Sequence, residues 1–180
     1  MSASSVYPRV SRKSPATQTD PDGAATMQII SPNRVTHTHR QRLCAGAQRV
    51  FPLLCPVREV DWADGWMPRL VVSGSGLAEP DCVFTTPAGA TEAIWYITRH
   101  EPQRGFVEML KFTPGMTACR LQIQLSDGAS EDECFADVTY THTSLGPAGD
   151  AFNASFTAGY YRDFMRQWEQ ELNRFLSGSA

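Results

Sequence analysis

No stretch of this sequence is long and apolar enough to cross a bilayer. The longest apolar run, Val50 to Val57, contains Pro52 and Pro56, and a helical span needs ~20 such residues. The body of the chain also lacks any run of Lys or Arg, and its net charge is −3. The positive footprint of nucleic-acid binding is therefore missing, and no nucleic-acid partner is expected. Cysteines are few, odd in number and without C-x-x-C spacing. Cys44, Cys55, Cys82, Cys119 and Cys134 each lie beside apolar or small residues, which reads as reduced thiols in a cytoplasmic protein. Neither a Rieske Cys/His pattern nor a facial triad for iron is found, so no cofactor is implied.

What is there suits one domain: 180 residues, 42% hydrophobic and 19% charged, enough for one substantial core but short for two. Residues 1–26 are rich in Ser, Pro, Thr and Ala and carry Arg9, Arg12 and Lys13. Without the apolar centre of a signal peptide, they predict a disordered arm. Patterned sequence begins at Met27, so residues 27–178 are expected to form a single domain and native translation to start at Met27. An intact mass of the native protein checks the start.

From Asn33 to Leu43 residues alternate, with Val35, His37, His39, Gln41 and Leu43 on one side and Arg34, Thr36, Thr38, Arg40 and Arg42 on the other. That is a strand with a basic, solvated face. Ala47, Val50, Phe51 and Leu54 then fall at helical spacing, and Pro56, Gly65 and Pro68 limit the next stretch to short helical turns. After Pro68, frequent Gly, Pro and Asp separate six β-rich runs: 69–73, 81–86, 91–99, 105–112, 116–125 and 133–143. Short turns at Glu101-Pro102, Pro114-Gly115 and Asp127-Gly128 join them as an antiparallel meander.

The last segment starts at Gly146-Pro147, with Asp150 in its first turn. Its large residues, Phe152, Phe156, Tyr160, Phe164, Trp168, Leu172 and Leu176, succeed each other by four. A step of four advances about 40° on an ideal helix, so the stripe winds roughly 240° in six steps. Either the sheet curves around the helix, or the helix breaks near Thr157-Ala158-Gly159 with Thr157 capping a second segment. Arg162, Asp163, Arg166, Glu169, Gln170, Asn173 and Arg174 make the opposite face hydrophilic.

This order of elements resembles the START-like, or SRPBCC, superfamily. Two stretches carry the local likeness: Val50-Phe51-Pro52-Leu53-Leu54-Cys55-Pro56 continuing to Asp61-Trp62 and Gly65-Trp66, and Thr139-Tyr140 to Gly146 continuing through Phe152, Phe156-Thr157 and Phe164-Met165 to Trp168-Glu169. The resemblance implies an α+β helix-grip fold: a seven-stranded curved antiparallel sheet around a long C-terminal helix, with two short helices between the first and second strands. It also implies that the first and last strands are neighbours, which would bring His37, His39, Tyr140 and His142 together. A fold used so widely does not fix a function.

A gap between sheet and helix is the natural ligand cavity of such a fold. The expected ligand-binding residues are His39, Gln41, Trp62, Trp66, Trp95, Tyr140, His142, Phe156, Tyr160 and Phe164, with Phe156, Tyr160 and Phe164 as the pocket floor. Glu59 and Asp61 beside Trp62 offer a carboxylate to a ligand hydroxyl, though solvation or capping explains them as well. Three imidazoles near a tyrosine could hold a metal, but H-x-H on a strand is ordinarily a hydrogen-bonded pair, and no metal is expected.

Three functions compete. The favoured one is a carrier or sensor for a small hydrophobic or aromatic molecule, acting as a monomer or homodimer. The second is a polyketide cyclase-like enzyme, with His37 or His39 as base and Tyr140 as donor to an enolate. The third is a protein-interaction or chaperone-activating module using the outer sheet. Its signature is a continuous exposed apolar patch, and the outward Arg120, Gln122 and Gln124 of the sixth strand predict none.

Overall fold

Alternating residues and short Gly- or Pro-bearing turns become seven strands in the computed structural model, which describes residues 27–178. The chain divides into Met1–Pro32 and Asn33–Ala180. Met27–Pro32 has no regular secondary structure, and the expected arm at 1–26 lies outside the described residues. In the second unit β1 (Arg34–Leu43) leads to α1 (Ala47–Val50) and to 3-10 turns at Phe51–Leu53 and Glu59–Asp61. Pro52 and Pro56 keep these pieces short by removing backbone donors.

The meander then runs β2 (Leu70–Val72), β3 (Val83–Ala88), β4 (Thr91–Glu101), β5 (Phe106–Thr113), β6 (Thr117–Asp127) and β7 (Cys134–Ser144). The sheet order is β1-β7-β6-β5-β4-β3-β2, antiparallel at every pairing. Two helices, α2 (Pro147–Ser155) and α3 (Ala158–Leu176), complete the helix-grip fold.

Register decides which side chains meet on the inner face. Phe84, Trp95, Lys111, Cys119, His142 and Val35 stand opposite one another across β3, β4, β5, β6, β7 and β1. One step along the strands lie Ile97, Met109, Leu121, Tyr140 and His37. A shift in pairing between Ile97 and Arg99 bends β4 as a bulge does.

The C-terminal helix is broken, and Thr157 caps its second part by accepting from the Tyr160 N–H at 3.2 Å. Phe156, at the end of α2, has ψ 62 and is not helical. The break resets the phase of the four-residue stripe. Beyond Phe156 the next buried ring is Tyr161, and the inner face continues through Met165, Leu172 and Leu176. Tyr160 is therefore a correction: it is 58% exposed and is no part of a pocket floor.

Hydrogen bonds lay α3 along β1. Gln41 Nε2 donates to the Met165 carbonyl at 2.8 Å, and Asn173 takes the Cys44 N–H at 2.8 Å while donating to the Arg42 carbonyl at 2.9 Å. Under α2, Gly149 comes so near the β5–β6 turn that a Cβ there would lie 1.9 Å from the Met116 carbonyl oxygen.

The outer face corrects a second expectation. Leu70, Val72, Ile94, Tyr96 and Phe112 are exposed, and the pairings of β2 to β5 set them side by side in two rows. An apolar patch thus exists on that half, while β6 presents Arg120 and Gln124. In β4, apolar residues alternate with apolar residues, so periodicity alone cannot say which set faces water.

Candidate functional site

Because α3 lies along β1, the inner face of β4 to β7 is covered only in part, and the segment between α1 and β2 closes over it. A cavity of about 200 Å³ remains, lined by Met109, Leu121, Trp95 and Tyr140 from the sheet, Glu59 and Ala63–Trp66 from that segment, and Phe164, Gln167, Trp168 and Glu171 from α3. A larger groove of about 740 Å³ runs between residues 45–49 and 127–133. Most of its lining residues are exposed, so it is a surface cleft.

Aromatic contacts build the cavity wall. Phe84 stacks on Trp95 at 5.3 Å, Trp66 meets Trp95 edge-on at 6.1 Å, and Trp62 supports Trp168 from behind at 4.9 Å. The N–H groups are already bonded to protein: Trp62 to the Leu53 carbonyl at 3.1 Å, Trp66 to the Pro56 carbonyl at 2.7 Å and Trp95 to Thr86 Oγ1 at 2.9 Å. Trp66 and Trp95 therefore present only ring surface to the cavity.

Polar character comes from Glu59, Tyr140 and Glu171. Glu59 is 8% exposed, its side chain makes no hydrogen bond among the described residues, and burial pushes its carboxyl up to about 8. Burial therefore favours its neutral form. Burial likewise holds the Tyr140 hydroxyl well above its ordinary range, with smaller contributions from Cys119, Tyr161 and Glu59. Glu171 accepts from Gln167 Nε2 at 2.9 Å and from the Asp64 N–H at 3.1 Å. Its neighbour Asp61, expected as readily as Glu59, is exposed and bonded to Arg58 at 2.7 Å.

Of the residues expected to bind a ligand, Trp66, Trp95, Tyr140 and Phe164 line the cavity. Trp62 stands one layer behind. His39, Gln41, His142, Phe156 and Tyr160 lie elsewhere, and so does His37.

The imidazoles have structural surroundings instead. His37 Nε2 donates to the Phe156 carbonyl at 2.9 Å, satisfying an acceptor that the helix break leaves free. Its ring lies between Phe156 and Tyr161. His142 is enclosed by Phe152 and Phe156, with Nε2 3.7 Å from Cys119 Sγ. Burial, and then the charge of Lys111, lowers this imidazole to about 4, while burial pushes the Cys119 thiol up to about 12. The pair is neutral, the reverse of an activated thiolate beside an imidazolium. Among the described residues no group of three or more His, Cys, Asp or Glu is placed to hold a metal ion.

Sequence reasoning missed Lys111. Its ammonium lies 4.9 Å from the Trp95 ring centre, and burial lowers its pKa. Two signals pointed to it: the period of β5 puts it on the face of Val107 and Met109, and it is the sole lysine among the described residues.

Solved structures of the same architecture exist at low identity. Norcoclaurine synthase from Thalictrum flavum aligns with a TM-score of 0.62 at 11% identity, covering 89% of this chain and 98% of that one. Ara h 8.0201 aligns at 0.56 with 9% identity over 81% and 99% of the two chains. A protein from Rhizobium loti aligns at 0.54 with 14% identity over 79% and 100%. These likenesses show the helix-grip fold. No family model and no curated protein matches the chain. Among the described residues no helix is long and apolar enough to cross a membrane.

Proposed function

We propose that the chain binds a small, mainly aromatic or apolar molecule in the cavity between sheet and C-terminal helix, as a carrier or sensor. The observation that carries this reading is a recess of about 200 Å³ walled by Trp66, Trp95, Phe164 and Trp168 between sheet and helix, open to solvent beside Asp64, Gly65, Phe164 and Gln167, since protein interiors ordinarily leave few voids larger than water. Its volume is below the ~300–1,000 Å³ of drug-sized sites, which fits a guest of about one ring with a short side chain. A cyclase working through a histidine base needs an imidazole at the cavity, and neither His37, His39 nor His142 lines it.

Native mass spectrometry of protein purified from its own host tests the proposal. A retained small molecule, lost on Leu121→Trp, is the expected result. Protein that carries no added mass, and whose tryptophan emission ignores single-ring compounds at millimolar concentration, would refute it.

A further inference from the structure

We infer that the cavity takes a single-ring amine, bound as its ammonium ion against Glu59. The inference rests on the binding role proposed above and names the chemical class of the guest.

The ionisable groups lining the cavity are Glu59, Asp64, Glu171 and Tyr140, and no Lys, Arg or His lines it. Asp64 already has Arg174 at 3.3 Å on the rim. Glu59 and Glu171, each 8% exposed, have no cation within ion-pairing distance among the described residues. Buried carboxyls are ordinarily paired, because an isolated one is costly to ionise. The Glu59 side chain lacks even a hydrogen bond among the described residues, although its backbone holds the turn through Cys55, Trp62 and Ala63. An ammonium ion would supply the missing counter-charge, and the rings of Tyr140, Phe164 and Trp168 would attract the same cation through their faces.

The other charges around Glu59 leave this reading intact. Arg58 and Asp61, on its own turn, are bonded to each other. Lys111 of β5 is held over Trp95, outside the cavity lining. Tyr140 of β7 and Glu171 of α3 add no positive charge.

Binding of the ammonium ion releases one proton. Without a counter-charge beside it, burial alone favours the protonated form of Glu59. When the ammonium ion enters, the carboxyl gives that proton to water and an ion pair remains. A neutral guest hydrogen-bonded to the acid would release none, and its binding would weaken as pH rises.

Benzylamine and its neutral counterpart benzyl alcohol separate these cases in calorimetric titrations at pH 7, run in two buffers of different ionisation heat. Wild-type protein is expected to prefer benzylamine by about tenfold or more, with a buffer-dependent heat that reports proton release. In Glu59→Gln, checked for folding by circular dichroism, that preference should collapse. Equal or tighter binding of the alcohol, the same heat in both buffers, or an undiminished preference in the variant would each overturn the amine assignment while leaving the cavity reading standing. If neither probe binds wild type, both readings fall together. The buffer comparison needs no variant, so a misfolded Glu59→Gln does not protect the inference.

Discussion

The two halves of the inner sheet face differ in what covers them. Against β1 and β7, where α2 and α3 press down, three side chains bond to backbone, His37 to the Phe156 carbonyl, Gln41 to the Met165 carbonyl and Tyr161 to the Val138 carbonyl at 2.7 Å, while Gln41 Oε1, His142 Nδ1 and Asn153 Oδ1 are buried without a partner among the described residues. Over β4 to β6 the helix stands off, and the side chain of Glu59, from the segment that closes over these strands, has no hydrogen-bond partner among the described residues. What separates the two halves is enclosure: one is sealed under the helices and the other borders the cavity.

Truncating Tyr161 should break the comparison most forcefully. Tyr161→Ala empties the sealed half and should cost about 3–5 kcal/mol in denaturant melts, while Tyr160→Ala one residue earlier should cost less than about 0.5 kcal/mol, as surface changes do. Equal losses for the two would mean that α3 has a different phase against the sheet.

The halves should also respond to pH with opposite sign. Glu59 is raised from 4.5 to about 8 in the fold, so its favourable contribution is complete below 4.5 and is lost as pH climbs through about 8. Glu59→Gln should flatten that decline, gaining on wild type by a few kcal/mol on the alkaline side, at ~1.4 kcal/mol per pKa unit. His142 is lowered from 6.5 to about 4, so its contribution is complete above 6.5 and is lost as pH falls through about 4. Urea titrations of His142→Leu between pH 4 and 7 should show a shallower acid limb than wild type, by a somewhat smaller amount. A wild-type stability that rises steadily from pH 5 to 9 would contradict the Glu59 assignment.

The smallest test concerns one hydroxyl in the sealed half. Tyr161→Phe keeps the ring but leaves the Val138 carbonyl without its donor, and should cost about 1 kcal/mol in the same melts. No loss at all would show that the Val138 carbonyl finds another donor.

Much of the fold is legible in the residues themselves. Period-two alternation placed His37, His39, Gln41 and Leu43 on the inner side of β1, and Cys134, Ala136, Val138, Tyr140 and His142 on that of β7, as observed. Thr157 was readable as a cap because its side chain can replace a missing backbone acceptor. Tyr160 and Tyr161 were not separable, since an i+4 stripe assumes an unbroken helix and one non-helical residue rotates everything after it. That the first and last strands are neighbours was foreseen and is observed, with His37 opposite Tyr140, yet Phe156 and Tyr161 fill the space around them, and no string of letters reports that.

Local chemistry alone determined the number of strands, the sides on which the residues of β1, β6 and β7 fall and the residues at which the last helix could break, because backbone sterics and hydrogen-bonding needs act over a few residues. Where α3 came to rest was a matter for the assembled molecule. Its contacts with β1 settled which rings were left bordering a void, which of Glu59 and Asp61 turned inward, and that Lys111 would lie against Trp95. Those outcomes depend on the competition between distant surfaces for burial, a sum over the whole chain that no single segment encodes.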